Sequence, residues 1–292
     1  MGKRKPRPTP VLPGPLPGLV DAHTHLYSCG HRTADEVRAA ADRAALAGVE
    51  ALVTVGDDLA ESEAAVAAAE SDERVHAAVA VHPTRAREVT DPVTGPAVRD
   101  RLRELAAHPR VVAVGETGLD HYWVGRMDGC ADPAEQEESL RWHAGLAAEL
   151  GKCLMIHNRE ADDDLLRDTS EVAGPGSGVP AAMLHCFSSP LAVAREALDR
   201  GYVLSFTGNV TFRANEHLRD AARLAPAGQL LVETDAPYMA PEPFRGARNE
   251  PGLVGYTARA IAEVRRQTPE DLVAEVADTA RADYAVAALD RA

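Results

Sequence analysis

Eight short runs rich in Val, Leu, Ile and Ala alternate along this 292-residue chain with longer stretches of Ala, Leu, Glu and Arg, and that alternation restricts the fold more than any other feature. The runs are 19–26 (LVDAHTHL), 51–56 (ALVTVG), 75–83 (VHAAVAVHP), 111–119 (VVAVGETGL), 153–159 (CLMIHNR), 181–187 (AAMLHCF), 202–209 (YVLSFTGN) and 230–237 (LLVETDAP). Strands this apolar need cover on both faces, which is the pattern of parallel sheets flanked by helices. Eight strand–helix units in one domain of this length predict a TIM (β/α)₈ barrel. An open doubly wound sheet would call for a glycine-rich phosphate turn after an early strand, and the sequence has none.

The intervening stretches carry helix punctuation. In DPAEQEESLRWHAGLAAELG, Asp132 is placed as an N-cap, Pro133 opens the first turn and Glu135 follows within it. The C-terminal stretch reads as two helices broken near Pro269, and GPGSGVP (174–180) as a surface loop. The basic, proline-dense run MGKRKPRPTPVLPGPLPG reads as a disordered tail over residues 1–18, leaving 19–292 as a single barrel domain. It has no apolar signal-peptide core, and no stretch of the chain is long and apolar enough to span a bilayer.

A hydrophobic content of 45% suits a chain that buries a sizeable core, whereas a net charge of −14 excludes a protein that coats nucleic acid over its whole surface. A polyanion could still be handled in one cleft. The four cysteines (Cys29, Cys130, Cys153 and Cys186) form no CxxC pair, so reduced thiols and a cytoplasmic setting are expected.

In a barrel of this kind the chemistry gathers at the C-terminal ends of the strands. Strand one ends in His23-x-His25, strand three in His82, strand four in Glu116, strand five in His157, strand six in His185 and strand eight in Asp235. Side chains two apart on a strand share a face, so His23 and His25 point into one mouth, with Asp21 one step deeper, placed to orient a ligand. Imidazoles and carboxylates without thiolates suit Zn²⁺ or Mn²⁺, with Mg²⁺ a further option. A lone histidine is more often a hydrogen-bonded core residue, and His31, His76, His108, His121, His143 and His217 are read that way.

The motifs DAHTHL, AVAVHP, VGETGLDHY, LMIHNREADDD, MLHCFSS, SFTGNVTF, VETDAPYMAP and FRGARNEP occur in an order that resembles TatD-family metal-dependent hydrolases, a branch of the amidohydrolase-like barrels. The pairing of ETDAPY with RGARNEP is the specific part. The resemblance implies two divalent metal ions per chain, one held by His23, His25 and Asp235, the other by His157 and His185, with Glu116 bridging. It also implies deoxyribonuclease activity at DNA 3′ ends. The chain departs from the family in HLYSCGHR, where a carboxylate usually follows the HxHL motif, and in His121, where an aromatic residue is common.

On this reading Asp235 and Glu116 are the catalytic carboxylates, and Asp235 takes the proton of the attacking water. Arg159, Arg245, Arg248 and Asn249 are placed to grip phosphates, and His82 to donate to phosphate or leaving oxygen. DNA is then a transient partner, with neither a membrane nor an obligate protein partner expected. The same centre on a closed pocket would instead serve an amidohydrolase or esterase acting on a small C–N or C–O substrate. A non-catalytic scaffold is disfavoured by the cost of six polar residues in one barrel mouth.

Overall fold

The computed structural model describes residues 8–174 and 176–284. Eight parallel strands run in the order β1 to β8: β1 Leu19–Thr24, β2 Val49–Gly56, β3 Val75–Val79, β4 Val111–Asp120, β5 Cys153–Arg159, β6 Ala182–Leu184, β7 Val203–Phe206 and β8 Leu230–Val232. Around them lie α1 Ala34–Ala45, α2 Leu59–Ser71, α3 Arg87–Thr90, α4 Gly95–Ala106, α5 Pro133–Leu150, α6 Asp162–Val172, α7 Leu191–Asp199, α8 Glu216–Leu224, α9 Val254–Arg265 and α10 Pro269–Tyr284. This is the TIM barrel. Every residue of β1, β3 and β4 is buried, as expected of strands that face a filled interior on one side and helices on the other.

The helix boundaries follow local chemistry. Asp132 caps α5 by accepting from Glu135 N at 3.0 Å, and the Glu135 carboxylate accepts in return from Asp132 N at 2.8 Å. Thr33 and Glu36 make the same reciprocal box at the start of α1.

No regular ladder joins β8 to β1. The ring is closed there by Asp235 N donating to His23 O (2.9 Å), His25 N donating to Ala236 O (2.8 Å) and an isolated bridge between Thr24 and Ala236. Asp21 reinforces the seam, accepting from Thr234 N at 2.7 Å and from the Thr234 hydroxyl at 2.6 Å. Asp21 thus clamps the residue that precedes Asp235, and its carboxylate also meets the backbone N–H of His23.

Several strands are shorter than the sequence predicts. β3, β6 and β8 stop at Val79, Leu184 and Val232, so His82, His185 and Asp235 sit in the loops just beyond the ladders. The sequence boundary at residue 18 also moves. Residues 1–7 lie outside the described residues, but the rest of the expected tail is docked: Leu16 is buried and donates its N–H to Ala47 O, the Tyr256 hydroxyl donates to Val11 O, and Arg259 donates to Gly14 O. The packed domain thus begins before Leu19, and residues 285–292 of the expected domain lie outside the described residues. No helix among the described residues is long and apolar enough to cross a membrane.

Candidate metal centre

β1 presents His23 and His25 on one face, and their Nε2 atoms lie 3.0 Å apart. Glu116, on β4, divides its carboxylate between two histidine pairs. Its Oε1 is 3.8 Å from His23 Nε2 and 3.5 Å from His25 Nε2, whereas its Oε2 is 3.0 Å from His157 Nδ1 and 2.6 Å from His185 Nε2. Asp235 Oδ1 lies 3.8 Å from His23 Nε2 and 3.4 Å from His25 Nε2, and its carboxylate also falls within 4.8 Å of His185. The six expected ligands therefore meet, in overlapping triplets whose donor atoms lie within 4.8 Å of one another.

The backbone works to bring them there. A Cβ at Gly118 would fall 2.1 Å from His157 O, so only glycine lets β4 run this close to β5, two residues beyond Glu116. Asp235 adopts φ 51°, a left-handed conformation that costs a non-glycine residue of order 1–3 kcal/mol. The Asp21–Thr234 clamp and the Asp235 N–His23 O bond hold it there.

The donor set fits divalent cations. Burial alone would lower all four imidazoles. At His25, Asp57, Asp235 and Glu116 outweigh burial and raise it to about 10; at His185 the Glu116 and Glu233 carboxylates raise it well above its usual value; His157 is raised by Asp120 and Glu116. His23 alone is lowered, by burial and by the neighbouring His185. Glu116 is held far below the usual carboxylate range, His185 and His157 overcoming its burial. Such a site is stable only when it contains positive charge, as protons or as metal ions. No thiolate joins the set: Cys186 lies in the same cavity, but burial pushes its thiol up.

Sequence reasoning missed an outer layer of carboxylates. Asp57 Oδ1 lies 3.4 Å from His25 Nδ1, Asp120 Oδ2 lies 3.2 Å from His157 Nε2, and Glu233 Oε1 lies 3.4 Å from His185 Nδ1. The Asp120 hydrogen bond fixes the orientation and tautomer of His157, whereas Asp57 and Glu233 act on His25 and His185 through their charge, and His25 Nδ1 meets Val55 O at 3.3 Å. The outer nitrogen of His23 meets Met155 Sδ instead, at 3.1 Å. Strand parity carried a signal for two of these carboxylates, since Asp120 is four residues after Glu116 and Glu233 two before Asp235.

The centre opens onto a cavity of about 550 Å³, with His23 fully buried beneath it. Of the five residues expected to bind substrate, His82 and Arg159 line this cavity. His82 Nδ1 takes hydrogen bonds from the Thr84 hydroxyl (2.7 Å) and Thr84 N (3.2 Å), so Nε2 carries the proton, and burial with the nearby His157 pushes the ring down to about 3. Arg159 stacks on Tyr122, 3.8 Å from the ring centre.

Three of the expected residues lie away from the cavity. Arg245 lies over the Phe212 ring, Arg248 donates to Ser28 O at 2.8 Å, and neither lines the cavity. Asn249 is buried and donates to Thr234 O (2.8 Å) and Tyr238 O (2.7 Å) while accepting from Glu250 N (3.0 Å). Its side chain ties the loop after β8 to itself and has nothing left for a phosphate. Asn249→Ala is accordingly expected to cost about 2–3 kcal/mol, the scale of orphaning buried carbonyls, read as a lower urea midpoint at unchanged m. A raised KM at full stability would return Asn249 to the substrate site.

Among the remaining histidines, His143 serves the scaffold: it accepts from Val81 N and donates to Ser139 O.

Residues 20–284 match the TatD related DNase family. The chain is 53% identical over 266 residues to an uncharacterized metal-dependent hydrolase, TatD, of Mycobacterium tuberculosis, covering 91% of this chain and 97% of that protein. The chain belongs to the TatD family of metal-dependent hydrolases. A further TatD relative, the 3′-5′ ssDNA/RNA exonuclease of Cronobacter sakazakii, is 36% identical over 233 residues, covering 78% of this chain and 83% of the relative. The crystal structure of the Escherichia coli TatD homolog YjjV shares the fold, with a TM-score of 0.77 at 24% identity over 92% of this chain and 99% of that one.

Proposed function

We propose that this TatD-family hydrolase is a phosphodiesterase that removes nucleotides from the 3′ end of single-stranded DNA, using two divalent ions, Zn²⁺ or Mn²⁺ before Mg²⁺. The observation that carries this reading is Glu116, whose two oxygens each face a separate histidine pair at the floor of a cavity rimmed by Arg159 and aromatic side chains. The name of the Cronobacter sakazakii relative supports the substrate.

His23, His25 and Asp235 would hold one ion, His157 and His185 the other, and Glu116 both. The ions supply Lewis acidity and positive charge at the reacting phosphate. The protein does the rest. Asp235 accepts the proton of the attacking water as the water oxygen bonds to phosphorus and the ester P–O bond to the departing oxygen breaks; that alkoxide takes up a proton, from Asp235 or solvent, to leave as the alcohol. His82, held neutral with its proton on Nε2, donates a hydrogen bond to phosphate or leaving oxygen. Arg159, braced on Tyr122 and exposed at the rim, offers paired donors to the chain's next phosphate.

The test is a metal-resolved screen of the purified protein on single-stranded DNA, duplex DNA, RNA and small esters. Turnover of single-stranded DNA from the 3′ end, lost on chelation together with a fall in Tm, is expected. Hydrolysis confined to carboxylic esters or amides would replace this reading with the amidohydrolase one. Arg159→Ala should raise KM for oligonucleotides and reduce the salt slope by about 0.7, one phosphate contact on a single strand. The Arg245→Ala, Arg248→Ala pair should leave both near wild type, and a larger effect there than at Arg159 would reverse the assignment.

A further inference from the structure

The mouth of the barrel has two apolar walls that the hydrolytic centre does not use. In a ring ordered β1 to β8, the loops after β4 and β8 stand on opposite sides. The first puts Trp123 and Met127 on the cavity, the second Tyr238 and Met239. Tyr238, Met239 and Met127 are 54%, 39% and 37% exposed, high values for large apolar side chains beside a buried charged floor. Each ring is tied to the centre through one backbone hydrogen bond. Tyr238 N donates to Asp235 O at 2.8 Å, and Trp123 N donates to Asp120 Oδ1 at 3.1 Å, the same Asp120 that meets His157. The walls are therefore registered against the metal ligands.

We propose that these walls are two base-stacking subsites flanking the scissile phosphate, with Tyr238 under the 3′-terminal base and Trp123 under the penultimate one. The proposal rests on the phosphodiesterase reading above. A phosphate held at Glu116 and Asp235 has one nucleoside on each side, and every base presents a π-face to an aromatic ring whatever its sequence. Thioether side chains beside the rings adapt to different bases.

The charge distribution assigns the polarity. Arg85 and Arg159 line the cavity beside the Trp123 wall, after β3 and at the end of β5, and no described cavity-lining residue of the loop after β8 is a cation. Upstream nucleotides carry a phosphate at every linkage, whereas the 3′-terminal nucleoside carries none beyond the scissile one. The polyanionic strand therefore belongs on the Trp123 side and the free end on the Tyr238 side.

The test uses the metal-loaded protein and a short single-stranded DNA oligonucleotide, intact or with an abasic tetrahydrofuran residue at the terminal or penultimate position, alongside methyl p-nitrophenyl phosphate as a small diester. Tyr238→Ala should lower kcat/KM on intact DNA roughly 5- to 150-fold, one base's stacking free energy expressed as a rate ratio. That loss should vanish on the terminal-abasic substrate and persist on the penultimate-abasic one, with Tyr238→Phe restoring the rate. Trp123→Ala should show the converse pattern. A wild-type enzyme that cleaves the small diester and DNA but is indifferent to both abasic residues overturns the subsites and leaves the phosphodiesterase reading standing. Losses that survive removal of the matching base overturn them too, and exchanged patterns overturn the polarity. A wild type that cleaves neither DNA nor the small diester overturns both readings.

Discussion

Asp235→Asn is expected to lower kcat by about 10²-fold or more while most of the metal stays bound, the scale on which a general base contributes. The substitution preserves shape and one acceptor oxygen, and asparagine tolerates the left-handed φ of 51° that this position requires, so the loop should survive. What it removes is basicity at an oxygen 3.4 Å from His25 Nε2. Few groups nearby can replace it, because Glu116 is shared between the histidine pairs. Asp57 is the exception: its carboxyl lines the same cavity, and burial pushes it up toward a range useful to a base. The decisive measurement is rate and metal content on one sample, with Asp57→Asn run in parallel. Recovery of near-normal kcat at saturating metal would make Asp235 a ligand only, and a fall confined to Asp57→Asn would move the base there.

His157→Ala is expected to lower bound metal below two equivalents and to reduce turnover by more than the ~10–100-fold that loss of an outer partner costs. His157 faces Glu116 with one nitrogen and Asp120 with the other, so its removal leaves two carboxylates facing an empty position. Asp120→Asn and Glu233→Gln should show the smaller effect, chiefly as weaker metal affinity, because each touches a ligand's far nitrogen. Full metal occupancy and activity in His157→Ala, checked by elemental analysis and single-turnover rates, would remove His157 from the centre.

The candidate metal centre was legible because its residues sit on strands or just past their C-terminal ends. Two-residue parity placed His23 beside His25, and the rule that barrel chemistry sits at the C-terminal strand ends selected Glu116, His157, His185 and Asp235 from all the histidines and carboxylates of the chain. Asp57, Asp120 and Glu233 lie at such ends too; parity with Glu116 and Asp235 marks the last two, whereas nothing local among the 45 Asp and Glu residues marks Asp57 as facing an imidazole. Arg245, Arg248 and Asn249 stand away from the cavity for a different reason. Their motif lies in the segment after β8; Phe212 and Ser28 O, which claim the two arginines, come from elsewhere in the chain, whereas Thr234 O and Tyr238 O, which claim Asn249, lie in that same segment.

The docked segment before Leu19 makes the same point. Proline and glycine content correctly reports the absence of helix or strand there, yet Leu16 is buried because Ala47 offers a carbonyl and α9 offers Tyr256 and Arg259 to hold the neighbouring backbone. Barrel, helix caps and the inner cluster of histidines and carboxylates were thus set by the sequence itself, through periodicities and spacings that act within a few residues. Loop orientation, the outer carboxylates, the facing Trp123 and Tyr238 walls and the seam clamped by Asp21 were decided only in the tertiary structure, because each depends on a partner that closure of the ring brings near, as when Asp21 meets Thr234 across 213 residues of chain.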